Sequence, residues 1–394
     1  MPSRPSGAAP GASGAGPAAT IDDELAVAKV NPVLDHGLGA VMLALIGRFL
    51  LWAYAERTSQ PELLRWFGQG ALFAIGGTYA VGWAALKLGG AFSESRCGAH
   101  LPEDCRRPLS SAIARKKFKD QTWQLAIHLS MALWEVRLLL AHPGWWSDAG
   151  NPETGAFAPC PATVLADPTS FGGSEVRMFY IMQLALWMWT GVSCKWLEER
   201  RKDYVEMMAH HVLTVALILN SFMRGEVAIG VVVLTVHDTS DVVLDLMKIA
   251  NYLKVEDAHG CYVVEVLFVL NTYVSWPYMR MWFFPRYVIG ACFEYYAMCD
   301  SRRVPLASWL TTAPWRPFVD NDIPGWATSV GMLIVLFGLH IMWWLLMNRI
   351  GMKIMFEGKA PNQAGDEEYE ISKAREAVEK ARVAAAAEGG KKDD

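Results

Sequence analysis

The sequence predicts an all-α polytopic membrane protein with about eight transmembrane helices, and three observations carry that prediction. Of the 394 residues, 53% are hydrophobic, and 17 are Trp. The apolar residues gather in blocks of roughly twenty, the length a helix needs to cross a bilayer. Lys and Arg are distributed unevenly between the loops, as expected of a chain threaded through a membrane in one orientation. The mean hydropathy is only +0.18 because polar ends are averaged with these blocks. A formal charge of -4 gives no reason to expect a nucleic-acid partner. The seven Cys are scattered without C-x-x-C spacing, so neither a zinc site nor a disulfide framework is indicated.

In chain order, "MPSRPSGAAPGASGAGPAAT" is rich in Pro, Gly, Ala and Ser with a single Arg. It reads as part of a disordered cytosolic tail, residues 1–36, rather than as a signal peptide. Membrane helices are expected near residues 37–56, 71–93, 122–141, 175–196, 206–223, 226–250, 260–283 and 325–348. Residues 37–114 hold the two leading helices and a basic loop. The segment between the second and third helices carries Arg96, Arg106, Arg107, Arg115, Lys116, Lys117 and Lys119, whereas residues 142–171 carry no Lys or Arg. By the positive-inside rule the first of these segments is cytosolic. "EERRKD" (198–203) and Lys254 fall on the same side, so both termini are expected in the cytosol. The segment 284–324 falls on the other side yet carries Arg286, Arg302, Arg303 and Arg316. It either folds back into the membrane or the count near Pro277 is off by one helix. Residues 357–394 form a charged cytosolic tail in which Ala, Glu, Lys and Arg favour a solvated helix. Lys391 and Lys392 close it in a pattern similar to a dilysine retrieval signal, which predicts a multi-pass protein of the endoplasmic reticulum membrane.

The stretch 207–253 concentrates the chemistry. An ionisable group in lipid is expensive unless paired or wetted, yet His210, His211, His237, Asp238, Asp241 and Asp245 lie within it. Positions three and four apart share a helix face, so Asp238, Asp241, Asp245, Lys248 and Tyr252 should form one polar stripe, with His237 beside it. Adjacent His210 and His211 point about 100° apart and cannot easily hold one ion between them, so no metal is expected. A short turn near residues 223–226 should fold the fifth and sixth spans into a hairpin that brings His210 and Asp241 to similar depth. A His–Asp pair there suits a general base or an acyl-accepting nucleophile. His237, Ser240 and Tyr252 are candidate oxyanion donors. The bland reading is that these polar groups only hold helices together.

With His210-His211, then "HDTSD" (237–241), then "KIANY" (248–252), the chain resembles the ceramide synthase family. The resemblance extends over about residues 115–356 and includes "KKFKDQTWQ", "RRKDYVEMMAHH", the region of Arg280 and Pro285, and "LHIMWWLL". It implies a TLC-type helical bundle with its catalytic domain over that span. It also implies transfer of a fatty acyl group from acyl-CoA to the amine of a sphingoid base, giving ceramide or dihydroceramide. The expected catalytic residues are His210, His211, Asp238 and Asp241. Substrate contacts are expected from His237, Ser240, Asp245, Lys248, Asn251 and Tyr252, with Arg200, Arg201, Lys202 and Lys248 meeting the CoA polyanion. Asp245 stands where the family often has Glu. Acyl-CoA would be a co-substrate and no cofactor is expected. Membrane lipid surrounds the chain, and a homodimer or an accessory membrane subunit stays open. The alternative is a non-enzymatic TLC-domain protein that binds, senses or helps translocate lipid; such relatives are expected to lack the intact His-His and HD-x-S-D set.

Overall fold

The computed structural model describes residues 31–97, 109, 112–145, 174–198, 203–224, 226–253, 262–293 and 323–357. Eight helices hold nearly all of these. They are α1 (Pro32–Ala55), α2 (Glu62–Cys97), α3 (Ala112–Ala141), α4 (Ser174–Trp196), α5 (Tyr204–Arg224), α6 (Val227–Tyr252), α7 (residues 263–293) and α8 (Ile323–Glu357). Each overlaps one of the apolar blocks, and no strand occurs among the described residues. The basic residues Arg200, Arg201 and Lys202, the loop residues 294–322 and both tails beyond residues 31 and 357 lie outside the described residues.

Six of the helices, α1, α2, α3, α5, α6 and α8, are long and apolar enough to cross a membrane. Helix α4 falls short of that measure. Its residues are buried on nearly every side, from Val176 to Cys194, so Gln183, Thr190 and Ser193 meet protein rather than lipid. Helix α7 falls short for a different reason. It begins as an ordinary α-helix at Val263–Val269 and then widens into π-type turns over Leu270–Ser275 and Pro277–Ile289. Pro277 and Pro285 each remove a backbone donor and crowd the preceding turn, which disfavours regular α bonding. The helix nevertheless continues past residue 283 and through Pro285, and Arg286 is helical rather than part of a loop.

Helix α1 starts at Pro32, inside the stretch 1–36 read as tail. The Asn31 side chain accepts from the Val33 N–H at 3.0 Å, and Pro32 occupies a first-turn position where its missing N–H costs nothing. Its first turn is clasped to the bundle by Asp35, which is ion-paired with Lys195 of α4 and accepts from Tyr204 Oη of α5 at 2.7 Å.

The bundle is centred on α4 and α6. Helix α3 packs along α6, α2 along α4 and α3, α5 along α4, and α8 against α5 and α7. One apolar core spans α1 to α6 and includes Met42, Phe49, Phe179, Leu184 and Met208. A second joins α6, α7 and α8 through Val232, Val236, Phe284, Val288 and Leu333. Close approach of α2 to α4 depends on Gly70, where a Cβ would sit 2.9 Å from Met182 Cα. Outward faces of α1, α2 and α7 expose Leu43, Leu51, Leu72, Leu88 and Val266, as lipid-facing surface requires.

Candidate active site

The charged residues of α6 lie on one stripe, as their spacing requires, but its two edges meet different neighbours. Asp238 and Asp245 are seven residues apart and differ by about 20° around the helix, whereas Asp241 lies about 60° away from Asp238. That offset divides the stripe between two environments.

Asp238 and Asp245 turn toward α3 and α4. Gln121 Nε2 donates to Asp245 Oδ1 at 2.5 Å, and His128 Nδ1 lies 2.6 Å from Asp245 Oδ2. Gln183 Nε2 donates to Asp238 Oδ2 at 3.2 Å and to Glu135 Oε1 at 2.9 Å. Gln121, His128 and Glu135 also step by seven along α3, so the two helices present matching polar ladders and both are buried. The sequence reading missed His128, Glu135 and Gln183, although the heptad spacing on α3 was the available signal. Asp238, expected to be catalytic, and Asp245, expected to touch substrate, are both held inside this network.

Asp241 faces α7. Arg280 Nη2 approaches Asp241 Oδ1 at 2.6 Å, Arg280 Nε donates to Ser240 Oγ at 2.8 Å, and Arg280 Nη2 also donates to the His237 carbonyl at 3.2 Å. The guanidinium lies 4.1 Å above the centre of the Trp276 ring. Its permanent charge and forked donors make Arg the stronger partner for a buried carboxylate. The expected His210–Asp241 hydrogen bond is therefore not formed. Ser240, expected to be an oxyanion donor, is fully buried and its hydroxyl bonds back to Val236 and His237 carbonyls at 2.9 Å.

His237 Nδ1 lies 2.6 Å from the Val233 carbonyl, and its Nε2 lies 2.9 Å from His340 Nε2 of α8. A carbonyl can only accept, so His237 Nδ1 carries the donated proton, and His340 supplies the proton between the two rings. His340 was read only as part of "LHIMWWLL"; its contact with His237 is a product of the packing of α8 on α7 and α6.

His210 lines an open pocket between α4, α5, α6, α8 and the end of α7. Trp187 and Trp343 meet its ring edge-on, with centroids 6.4 Å and 5.5 Å away. His211 turns aside: it is buried against Trp187 at 6.0 Å and does not line the pocket. Asp241 and His237 join His210 at one end of the pocket, and Thr214 follows one turn along α5. Aliphatic side chains such as Leu217, Val233 and Leu333 form the middle. Ser221, Glu226 and Ser329 lie at the other end.

The remaining expected contacts are not part of this pocket. Tyr252 is buried against Ala85, Leu109 and Phe118. Lys248 and Asn251 are half-buried on the last turns of α6, Lys248 being about 10 Å along the axis from Asp241.

A membrane bundle with a histidine at the head of an apolar pocket is the architecture of this chain, and residues 117–349, more than half of its length, match the TLC domain family. The chain belongs to that family. It is 27% identical to ceramide synthase 5 of Homo sapiens over 244 residues, covering 62% of this chain and 52% of that protein. It is 28% identical to ASC1-like protein 3 of Oryza sativa over 251 residues, covering 64% of this chain and 76% of the relative. A third relative, ceramide synthase hyl-1 of Caenorhabditis elegans, is 30% identical over 167 residues, 42% of each chain. The aligned region thus spans about half of the human relative's length.

Proposed function

We propose that this chain is a ceramide synthase that transfers a fatty acyl group from acyl-CoA to the amine of a sphingoid base. The observation that carries the reading is His210: an imidazole with a buried, unpartnered Nδ1, facing an apolar pocket. The names of the relatives support the same reaction. Amide formation from a thioester breaks the C–S bond, forms the C–N bond and moves one proton from the amine to the leaving thiolate. His210 either takes that proton as general base or first accepts the acyl group, releasing CoA thiol, and passes it to the amine. Asp241 presents a negative charge to the incoming ammonium while Arg280 holds that charge in place. Thr214 lines the pocket one turn from His210 and has a hydroxyl to donate to a developing oxyanion. His211 and Asp238 act on this site through packing.

An acyl chain would run from His210 along the aliphatic wall, and the CoA polyanion would draw on Lys248 and on the sequence cations Arg200, Arg201 and Lys202, which lie outside the described residues. Acyl-CoA is a co-substrate in this scheme. The proposal includes the endoplasmic reticulum membrane as its location, to be checked by fractionation of the tagged full chain. The test of activity is incubation of purified full chain with acyl-CoA and dihydrosphingosine, followed by mass spectrometry for the N-acylated product. Absence of product across an acyl-CoA series would favour a TLC-domain lipid-binding protein. Trapping of acylated protein in the absence of amine separates the nucleophile from the general base.

A further inference from the structure

The pocket has a built end. Tyr180 of α4 is the largest of the fully buried side chains, 1% exposed, and lines the pocket opposite the His210 end. Its hydroxyl hydrogen-bonds with Ser221 Oγ of α5, and its ring stacks on Phe222 with centroids 6.1 Å apart. Helix α6 leaves room for that hydroxyl only because residue 230 is glycine. A Cβ there would collide with Tyr180 Oη and sit 2.8 Å from Cζ. Three helices thus converge on one phenol ring. Next to it, Asn220 Nδ2 donates to Ser329 Oγ at 2.6 Å, and Ser329 faces Glu226 at 3.5 Å. A hydrocarbon chain that reached past Tyr180 would meet this polar collar and have to desolvate it.

Distances along the helices give the room above the floor. From His210 to Ser221 is about 16 Å of helix axis, and from Trp187 to Tyr180 about 10 Å. The longer span is close to half of the ~30 Å hydrocarbon core, which is the depth of one leaflet of acyl chains. We infer that Tyr180, held by Ser221 and seated in the notch at Gly230, is the floor of the pocket and sets the length of acyl chain that it accepts. The inference rests on reading the pocket as the acyl site.

The test uses full-length wild type, Tyr180→Leu and Gly230→Ala in two assays. Displacement of a fluorescent fatty acid by a homologous series of saturated fatty acids reads occupancy without turnover, and the acyl-CoA series reads N-acylation. Tyr180→Leu opens the floor and moves both length profiles toward longer chains. Gly230→Ala drives the phenol ring into the pocket and moves them toward shorter chains, with about a fourfold loss for each methylene denied its place, the ~0.8 kcal/mol of one buried CH₂ converted at RT. Profiles that match wild type in both variants, or a move of Gly230→Ala toward longer chains, overturn the inference. Shifted displacement profiles in a protein that makes no N-acyl product keep the floor and sink the acyl-transfer reading. Normal turnover with unmoved profiles does the reverse. If Tyr180→Leu does not fold, Tyr180→Phe replaces it: loss of the Ser221 bond frees the ring and moves the profile toward longer chains, and an unmoved profile counts against the floor.

Discussion

The two edges of the polar stripe on α6 carry acidic residues within a single turn of one another, and they meet different surroundings. Toward α3 and α4, Asp238 and Asp245 are enclosed by Gln121, His128, Glu135 and Gln183. That face is an internal polar seam, buried among helices and without access to the pocket. Toward α7 and α8, Asp241 and His237 reach the pocket wall, backed by Arg280 and His340. The same residue type is enclosed among helices on one side and faces a pocket on the other, because a turn of about 60° decides which neighbours it meets. Polar residues in a membrane helix are therefore not a site merely by being there; what matters is which of them faces a cavity.

This contrast can be broken or sharpened by substitution. The largest effect is expected from His210→Ala on the pocket side. N-acyl transfer should fall by about 10²-fold or more, with elution and melting temperature close to wild type. Activity within tenfold of wild type would remove His210 from the reaction.

Next in size is Arg280→Met, which leaves Asp241, partly exposed at the pocket wall, without its cation. A loss of about 3–5 kcal/mol is expected, read as a marked fall in melting temperature in detergent. Adding Asp241→Asn should recover part of that stability but no acyl transfer. An unchanged melting temperature in the single variant would mean that the ion pair contributes nothing to holding α7 against α6.

On the scaffold side, a double-mutant cycle of His128→Ala and Asp245→Asn should show coupling of about 0.5–3 kcal/mol. Turnover per folded molecule should fall much less than in His210→Ala. A collapse of turnover with stability intact would mean that the seam takes part in chemistry after all.

The smallest effect belongs to Tyr252→Phe, in the separate cluster with Ala85, Leu109 and Phe118. One hydroxyl is worth about 1 kcal/mol at most here, and the kinetics per folded molecule should be those of wild type. A tenfold loss of activity would return Tyr252 to the site, where the sequence had suggested it.

Much of the architecture was legible because lipid imposes a simple rule on composition. Each of the eight helices overlaps an apolar block read from the sequence, and the hairpin of α5 and α6 follows from the short turn between them. Legibility failed where neighbours replaced lipid. Nothing in the composition of α4 says that Gln183 would bridge Glu135 and Asp238. Nor does the local sequence say that α7 continues past residue 283 through Pro285, or that Arg280 meets Asp241. His210 and Asp241 were placed at similar depth and do share a pocket, yet depth alone could not say that Asp241 is ion-paired with Arg280, more than thirty residues away in the chain.

The sequence by itself determined that this is a helical membrane protein, where its helices run, and which hairpin holds its unusual concentration of His and Asp. Hydrophobic length and helical spacing are local properties, so they can be read along one strand of text. The tertiary structure alone decided that His210 faces the pocket while His211 does not, that Asp241 belongs to Arg280, and that Tyr180 closes the far end against Gly230. Each of those outcomes depends on the rotation of one helix against another, and that rotation is set by packing among residues distant in the chain.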